Sequence, residues 1–540
     1  MKRTLTLLLA VCMLIGLAPS FAAAANDDWT TLRVELFDRS TQGFSIEDNM
    51  QLRYIQESFG DPNHIKVEFV PVPRWSETEV LNTLLAGGTA PDICLTYDSS
   101  LIQQYINMGG LYPLDDLLAQ YGQNLTALLG SVLRYGQNDV LDADGNRILD
   151  ANGNKETVQL FIPALRTSVA KLGGVIRGDW LAQLGMDVPA TVDEWVEYLY
   201  AAKAANLGGT VTVPYAMNLY PNAPLFATDL IVENFIDLAQ TSREDWFCLY
   251  HNMLPGAKEG YRLLNKLYND GLISENFAID TSAEIRKSNM VQGNTGFYIE
   301  APTQVWLAGD NFEKEMEKNV PGAYWEPVNC FQNADGYTLH PVYAANGIGI
   351  FVPSWVSEAV AKAAVMYLDW MSIQEHLFFL QHGVQGVNFM DMTEDGIAYN
   401  SKSGDDVPDE YKMSGDVCII LNGAYYGSDE LNTKASSLYY TGYEELAELA
   451  TQYSLTYGYA PVSFTVTINS EADYGQLVLA KQAEFLSNVL TCSPEDFDAV
   501  YERSSQAILD VGGAEIIAER KEAFANGEYL GDFPLDIIGK

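Results

Sequence analysis

Between residues 31 and 118, short apolar runs alternate with segments of helical periodicity. The run "TLRVELFDRS" (31–40) alternates as a strand does and stops at Asp38-Arg39. Met50, Leu52, Tyr54, Ile55 and Phe59 then carry a helical spacing. "HIKVEFVPVP" (64–73) reads as a second strand. "SETEVLNTLLAGG" (76–88) reads as a helix, with Ser76 and Glu79 in capping-box relation and Gly87 as its stop. "DICL" is a third strand and "SLIQQYINMGG" a third helix. Strands that alternate with helices in this way build βαβ units, and βαβ units build a parallel sheet.

The strand ends carry the chemistry. In open α/β sheets, ligands sit at the loops leaving the carboxyl ends of the strands. Tyr97-Asp98 falls on such a loop, directly before a helix. Asp38 and Arg39 follow the first strand and Trp75 follows the second.

The pattern continues beyond residue 118. "LGGVIRGDWLAQLG" (172–185) reads as a strand running into a helix. In "TVDEWVEYLYAAKAA" (191–205), Thr191 and Glu194 form a second capping box. "VTVPYAMNLYPNAP" (211–224) and "NTGFYIEAPTQVWL" (294–307) are strands that stop and turn, marking Asn218, Tyr220, Glu300, Thr303 and Trp306. "GYRLLNKLYNDGL" (260–272) is helical, and "AANGIGIFVP" (344–353) is a strand. In the helix at 356–371, Val360, Ala363, Ala364, Tyr367 and Met371 share a face. Further long helices are expected near 475–490 and 513–525. Between them, "VLDADGNRILDANGNKETVQL" (140–160) holds two D-x-[DN]-G-N cassettes. Asp142, Asp144 and Asn146 begin a calcium-loop spacing. The glycine at the sixth position and the glutamate at the twelfth are missing, so an exposed hairpin is expected instead.

Bulk properties narrow the class. Lys2 and Arg3, the apolar run Leu5 to Leu17 and the small residues up to Ala25 form a secretory signal peptide, residues 1–25. "LLLAVC" resembles a lipobox around Cys12. However, Val11 is large for its place and the apolar run continues past the cysteine, so Cys12 is read as part of the signal's core. The formal charge of −41 repels phosphates and anionic headgroups, which argues against nucleic-acid partners. With 48% hydrophobic and 11% aromatic residues the chain is not disordered. It is too long for one core, so at least two domains are expected. The five cysteines that follow Cys12 are scattered, without C-x-x-C, and imply neither a disulfide framework nor a zinc ribbon.

Five segments together resemble extracellular solute-binding proteins of ABC transporters, in the sugar-binding family and its longer Gram-positive members. They are "LLAGGTAPDICLT", "IRGDWLAQLGMDVPATVDEWVEYLYAAK", "NKLYNDGLISENF", "YLDWMSIQEHLFFLQHGVQGVNF" and "VGGAEIIAERKEAF", and they occur in the family's order. Many members carry D-P-N-G-N-G after the helix at 191–205. This chain has "NLGGTVTVP" there and so departs from the family's calcium pattern.

The resemblance implies a two-lobed periplasmic-binding-protein-like fold. Each lobe would be a mainly parallel sheet flanked by helices, with extra C-terminal helices. Residues 26–165 plus 340–395 would form the first lobe, and 166–339 plus 396–540 the second. A solute would lie between them, touched by Asp38, Arg39, Trp75, Tyr97 and Asp98 from one side and Asn218, Tyr220, Glu300, Thr303 and Trp306 from the other. Aromatic faces suit the C–H face of a pyranose, and carboxylates suit paired hydroxyls. The implied function is capture of a sugar by an exported monomer and delivery to a membrane permease, with no cofactor, metal or catalytic residue. The sequence has no G-x-S-x-G, no H-E-x-x-H and no metal-ligand spacing among its five histidines. Two alternatives stand beside it: a secreted glycoside hydrolase using two carboxylates, and a binding protein that feeds a sensor.

Overall fold

The computed structural model describes residues 29–538 except 42, 141–147, 150–154, 210, 308–310, 330, 334 and 403–405. The signal segment with Cys12, and Asp142, Asp144 and Asn146, lie outside the described residues.

Strand Thr30–Asp38 is the spine of the first sheet. It pairs in parallel with Ile65–Pro73 along its whole length. On its other side the Glu35 N–H donates to Ile93 O at 2.9 Å, and Val34 bridges to Ile93 in parallel. Cys94–Thr96 carries the order onward to Asn346–Phe351, Phe161–Arg166 and Leu421–Asn422. Leu32, Val34, Leu36 and Phe37 are buried in the core of this sheet. Helix Glu358–Met371, capped by the Ser357 hydroxyl at the Val360 N–H, buries Ala363, Ala364, Tyr367 and Met371 in the same core.

The expected parallel order holds for the first βαβ run and for Leu421–Asn422 against Phe161–Arg166, but not throughout the sheet. Asn346–Phe351 runs antiparallel to both its neighbours. It arrives on a later pass of the chain, from the other lobe, so it enters the sheet from the opposite end. The core also takes in Val417 to Leu421, which lie past the boundary expected at residue 395.

The two predicted capping boxes part company. At Thr191 both reciprocal hydrogen bonds form. At Ser76 neither does. A 3-10 turn, Arg74–Ser76, leads into that helix and leaves Ser76 at ψ 29°, outside the extended conformation a capping side chain needs.

The second sheet has the order Trp325–Val328, Gly173–Arg177, Thr295–Glu300, Val213–Tyr215. Only the last pair is parallel. Helices Asn469–Thr491, Phe497–Ile508 and Ala514–Ala525 contribute Phe485, Val489, Tyr501 and Ile516 to the core that holds Trp195, Tyr215 and Leu264. The extra C-terminal helices thus thicken the second lobe.

Three segments cross between the lobes and are bonded to one another. Arg166 N–H donates to Ala345 O at 2.8 Å, Thr167 N–H to Asn422 O at 3.1 Å, and Tyr343 N–H to Val169 O at 2.8 Å. Gly423 passes closest. Its φ is +112°, and a Cβ there would lie 2.1 Å from the Thr167 Oγ1. Among the described residues, no helix is long and apolar enough to cross a membrane.

Candidate functional site

One edge of the first sheet collects the predicted residues. Strands Thr30–Asp38, Ile65–Pro73, Cys94–Thr96, Phe161–Arg166 and Leu421–Asn422 all finish at this edge, and the reversed strand Asn346–Phe351 starts there. The crossing segments leave from the same edge, so whatever sits on it faces the junction of the lobes.

Asp38, Arg39, Trp75, Tyr97 and Asp98 all sit on this edge. Trp75 is 81% exposed and Tyr97 39%. The Tyr97 ring stacks on Phe37 with centroids 6.2 Å apart. The Arg74 guanidinium lies 4.3 Å from the Tyr97 centroid, 5.1 Å from Phe37 and 5.4 Å from Trp75. Arg39 lies 5.7 Å from the Trp75 ring and holds Asp416 through both carboxylate oxygens, at 2.5 and 2.9 Å. That bond raises the Arg39 pKa above its ordinary value. The Tyr97 loop is pinned from beneath by buried Glu77, whose Oε1 accepts from the Tyr97 N–H and the Thr96 hydroxyl. Asp98 is partly spent on structure. Its Oδ1 accepts from the Ser100 and Leu101 N–H groups and caps helix Ser99–Asn107.

The second sheet presents a matching edge. Thr295–Glu300 ends beside the start of Gly173–Arg177, where the first crossing arrives. There the Tyr220 hydroxyl donates to Glu300 Oε2 at 2.9 Å, and Arg286 donates to the same oxygen at 2.7 Å. Burial works against the Arg286 charge, but Glu300 and Tyr220 more than offset it and raise its pKa. Asn218 is 1% exposed and lies against Tyr220, yet neither of its amide atoms has a hydrogen bond of good geometry. Thr303 Oγ1 shares a 2.6 Å hydrogen bond with the Tyr440 hydroxyl.

Trp306 does not join this group. It is 1% exposed, donates from Nε1 to buried Glu313 and stacks on Tyr443, so it is core. The residues that sequence reading missed are Arg74, Arg166, Arg286, Tyr343 and Asp416. Arg74 had a signal, since it precedes Trp75 on the same strand end. Arg286 and Asp416 had none, because only the tertiary fold brings them to Glu300 and Arg39.

Two α/β lobes, joined by three bonded crossings and carrying polar and aromatic strand ends toward them, have the architecture of a two-lobed solute-binding protein. The chain belongs to the bacterial extracellular solute-binding protein family, whose model matches residues 51–372. Lipoprotein LipO of Bacillus subtilis is 23% identical over 401 residues, covering 72% of this chain and 73% of LipO. Among solved structures, an HMO-binding, ABC-transporter-associated solute-binding protein from Bifidobacterium longum infantis shares the fold. Its TM-score is 0.57 at 14% identity, over 93% of this chain and 100% of that one. The substrate-binding protein FusA of S. pneumoniae, in complex with kestose, gives 0.54 at 14% identity, over 92% and 99%. The alginate-binding protein AlgQ2 gives 0.54 at 17% identity, over 92% and 98%. The family is one of binding proteins, not enzymes.

Proposed function

We propose that this protein captures a saccharide between its lobes and, as a monomer outside the cell, hands it to an ABC-type permease. The observation that carries the reading is Trp75. A tryptophan that is four-fifths exposed, on a sheet edge facing the crossings, buries little of its ring in the fold. Its flat face suits the C–H face of a pyranose. Tyr97 extends that surface, and Asp38 and the free oxygen of Asp98 supply acceptors for hydroxyl groups. From the opposing edge, Asn218, Tyr220, Glu300 and Thr303 would reach the solute on closure. Asn218 supports this, since buried amides without a well-formed hydrogen bond are rare and an amide pairs well with hydroxyl groups. The saccharides in the names of structures with this fold agree with the reading.

Closure would follow from tighter binding in the closed than in the open form. The test is a thermal-shift screen of the protein without its signal segment against mono-, di- and oligosaccharides and short peptides, with product analysis of each hit. A saccharide that raises the melting temperature and is recovered intact supports the proposal. A saccharide that is slowly cleaved would favour a hydrolase, and a peptide hit would overturn the saccharide reading.

A further inference from the structure

Arg74 and Arg166 stand apart from the chain's other sheltered arginines. Arg33 bonds carbonyl oxygens, and Arg177, Arg262, Arg286 and Arg520 each hold a carboxylate. The guanidiniums of Arg74 and Arg166 have neither a hydrogen bond nor an ion pair among the described residues, and the Nε of each is buried without a partner. Aromatic rings lie against both: Tyr97 at 4.3 Å from Arg74, and Tyr343 at 4.7 Å from Arg166.

This isolation is notable in a chain with 72 acidic residues against 31 basic ones. Acidic side chains are plentiful, yet among the described residues none lies within ion-pair distance of these two guanidiniums. Sheltering a charge from water without a counter-charge is unfavourable. Burial depresses the Arg166 pKa, and only the hydroxyls of Tyr343 and Tyr97 work against that. Tyr97 therefore stands within electrostatic reach of Arg166 while its ring carries Arg74. Both arginines leave strand ends at the sheet edge that faces the lobe crossings. A guanidinium fork fits a carboxylate or a sulfate group through paired N–H donors.

We infer that the solute is an anionic saccharide whose acidic group is held by Arg74 and Arg166 beside Tyr97. This rests on the saccharide reading and narrows it.

The experiment compares matched probes by calorimetry and thermal shift at up to about 10 mM. Galacturonate, glucuronate and di- and trigalacturonate form the carboxylate arm, a sulfated disaccharide the sulfate arm, and galactose, cellobiose and maltotriose the neutral arm. The proteins are the wild type, Arg74→Gln, Arg166→Gln and Arg166→Lys, each with its ligand-free melting temperature measured as a folding control. The expected result is binding in one acidic arm, at least tenfold tighter than in the neutral arm. Each Gln variant should weaken it at least tenfold, Arg166→Lys should restore part of it, and raising salt from 50 to 500 mM should weaken it further. Arg166→Lys keeps the charge, so it remains informative if Arg166→Gln melts early. A neutral saccharide bound as tightly as its acidic counterpart would overturn the inference and leave the saccharide proposal standing. Acidic binding unchanged in the Gln variants would also overturn it. Silence in all three arms would overturn both.

Discussion

Replacing Trp75 by alanine separates binding from stability. The indole is 81% exposed, so truncation removes little buried surface from the folded chain. What it does remove are the contacts of Arg39 and Arg74 with the ring at 5.7 and 5.4 Å. Exposed contacts of this kind are worth about 0.5–1 kcal/mol. A loss of that size moves the melting temperature of so large a chain by about 2 °C or less. The effect on the bound state is larger. A fully buried tryptophan covers about 150–250 Å², and one ring face against a sugar accounts for roughly 100 Å² of it. At about 25 cal/mol per Å² this face contributes about 2.5 kcal/mol, which is roughly 60-fold in Kd. Calorimetry with whichever saccharide the screen identifies measures the second quantity, and a thermal melt of the ligand-free protein measures the first. Trp306→Ala is the control. It is the same substitution in the core and should cost about 3–5 kcal/mol of stability. Unchanged affinity in Trp75→Ala would refute the placement of solute on this ring, and a melting loss comparable to that of Trp306→Ala would refute the ring's idle role in the fold.

Gly423→Ala should destabilise the protein by about 1–3 kcal/mol through its backbone alone, and by more through the Thr167 hydroxyl in its path. Adding Thr167→Ala should recover the steric part only, as a denaturant melt of both variants would show. Thr191→Ala should cost about 1 kcal/mol by removing a formed cap, whereas Ser76→Ala should stay within about 0.5 kcal/mol because no cap is present to lose. Burial pushes the Asp229 carboxyl up to about 7, with Glu233 pushing the same way and Lys171 and His251 opposing. A carboxyl raised on folding favours the folded state at acidic pH, and that contribution is lost as pH climbs from about 4 through about 7. Asp229→Asn should therefore narrow the melting-temperature difference between pH 5 and pH 8, and an unchanged difference would contradict the assignment.

Much of the fold was legible because strand and helix periodicities report burial directly. Thr30–Asp38, Ile65–Pro73, Ser99–Asn107 and Glu358–Met371 all lie where their patterns put them. Sheet direction was less legible, since it depends on which pass of the chain supplies a strand. Asn346–Phe351 looks like any other buried run until its antiparallel neighbours are known. Ser76 and Thr191 carry the same motif, and only the approach of the preceding residues distinguishes them. Within the site, the residues on strand ends of the first lobe were readable from position. Trp75 and Trp306 were not separable, because both follow strands and their burial is decided by distant chain: Glu313 and Tyr443 close over Trp306, whereas Trp75 stays 81% exposed. Arg166 escaped notice because its strand, Phe161–Arg166, directly follows a Gly- and Asn-rich stretch of sequence that reads as turns.

The Leu421–Asn422 strand has a further consequence, for the order in which the molecule can be made. It pairs with Phe161–Arg166, and Leu421 packs in one core with Leu32. A chain emerging from its N-terminus thus holds the spine of its first lobe early but lacks the last strand of that sheet until the second lobe's own sheet has been synthesised. Contacts so far apart in sequence slow folding, because the intervening chain must be ordered before they form. The second lobe waits longer still, for helices Asn469–Thr491, Phe497–Ile508 and Ala514–Ala525, so neither lobe finishes early and a newly made chain remains open for most of its synthesis.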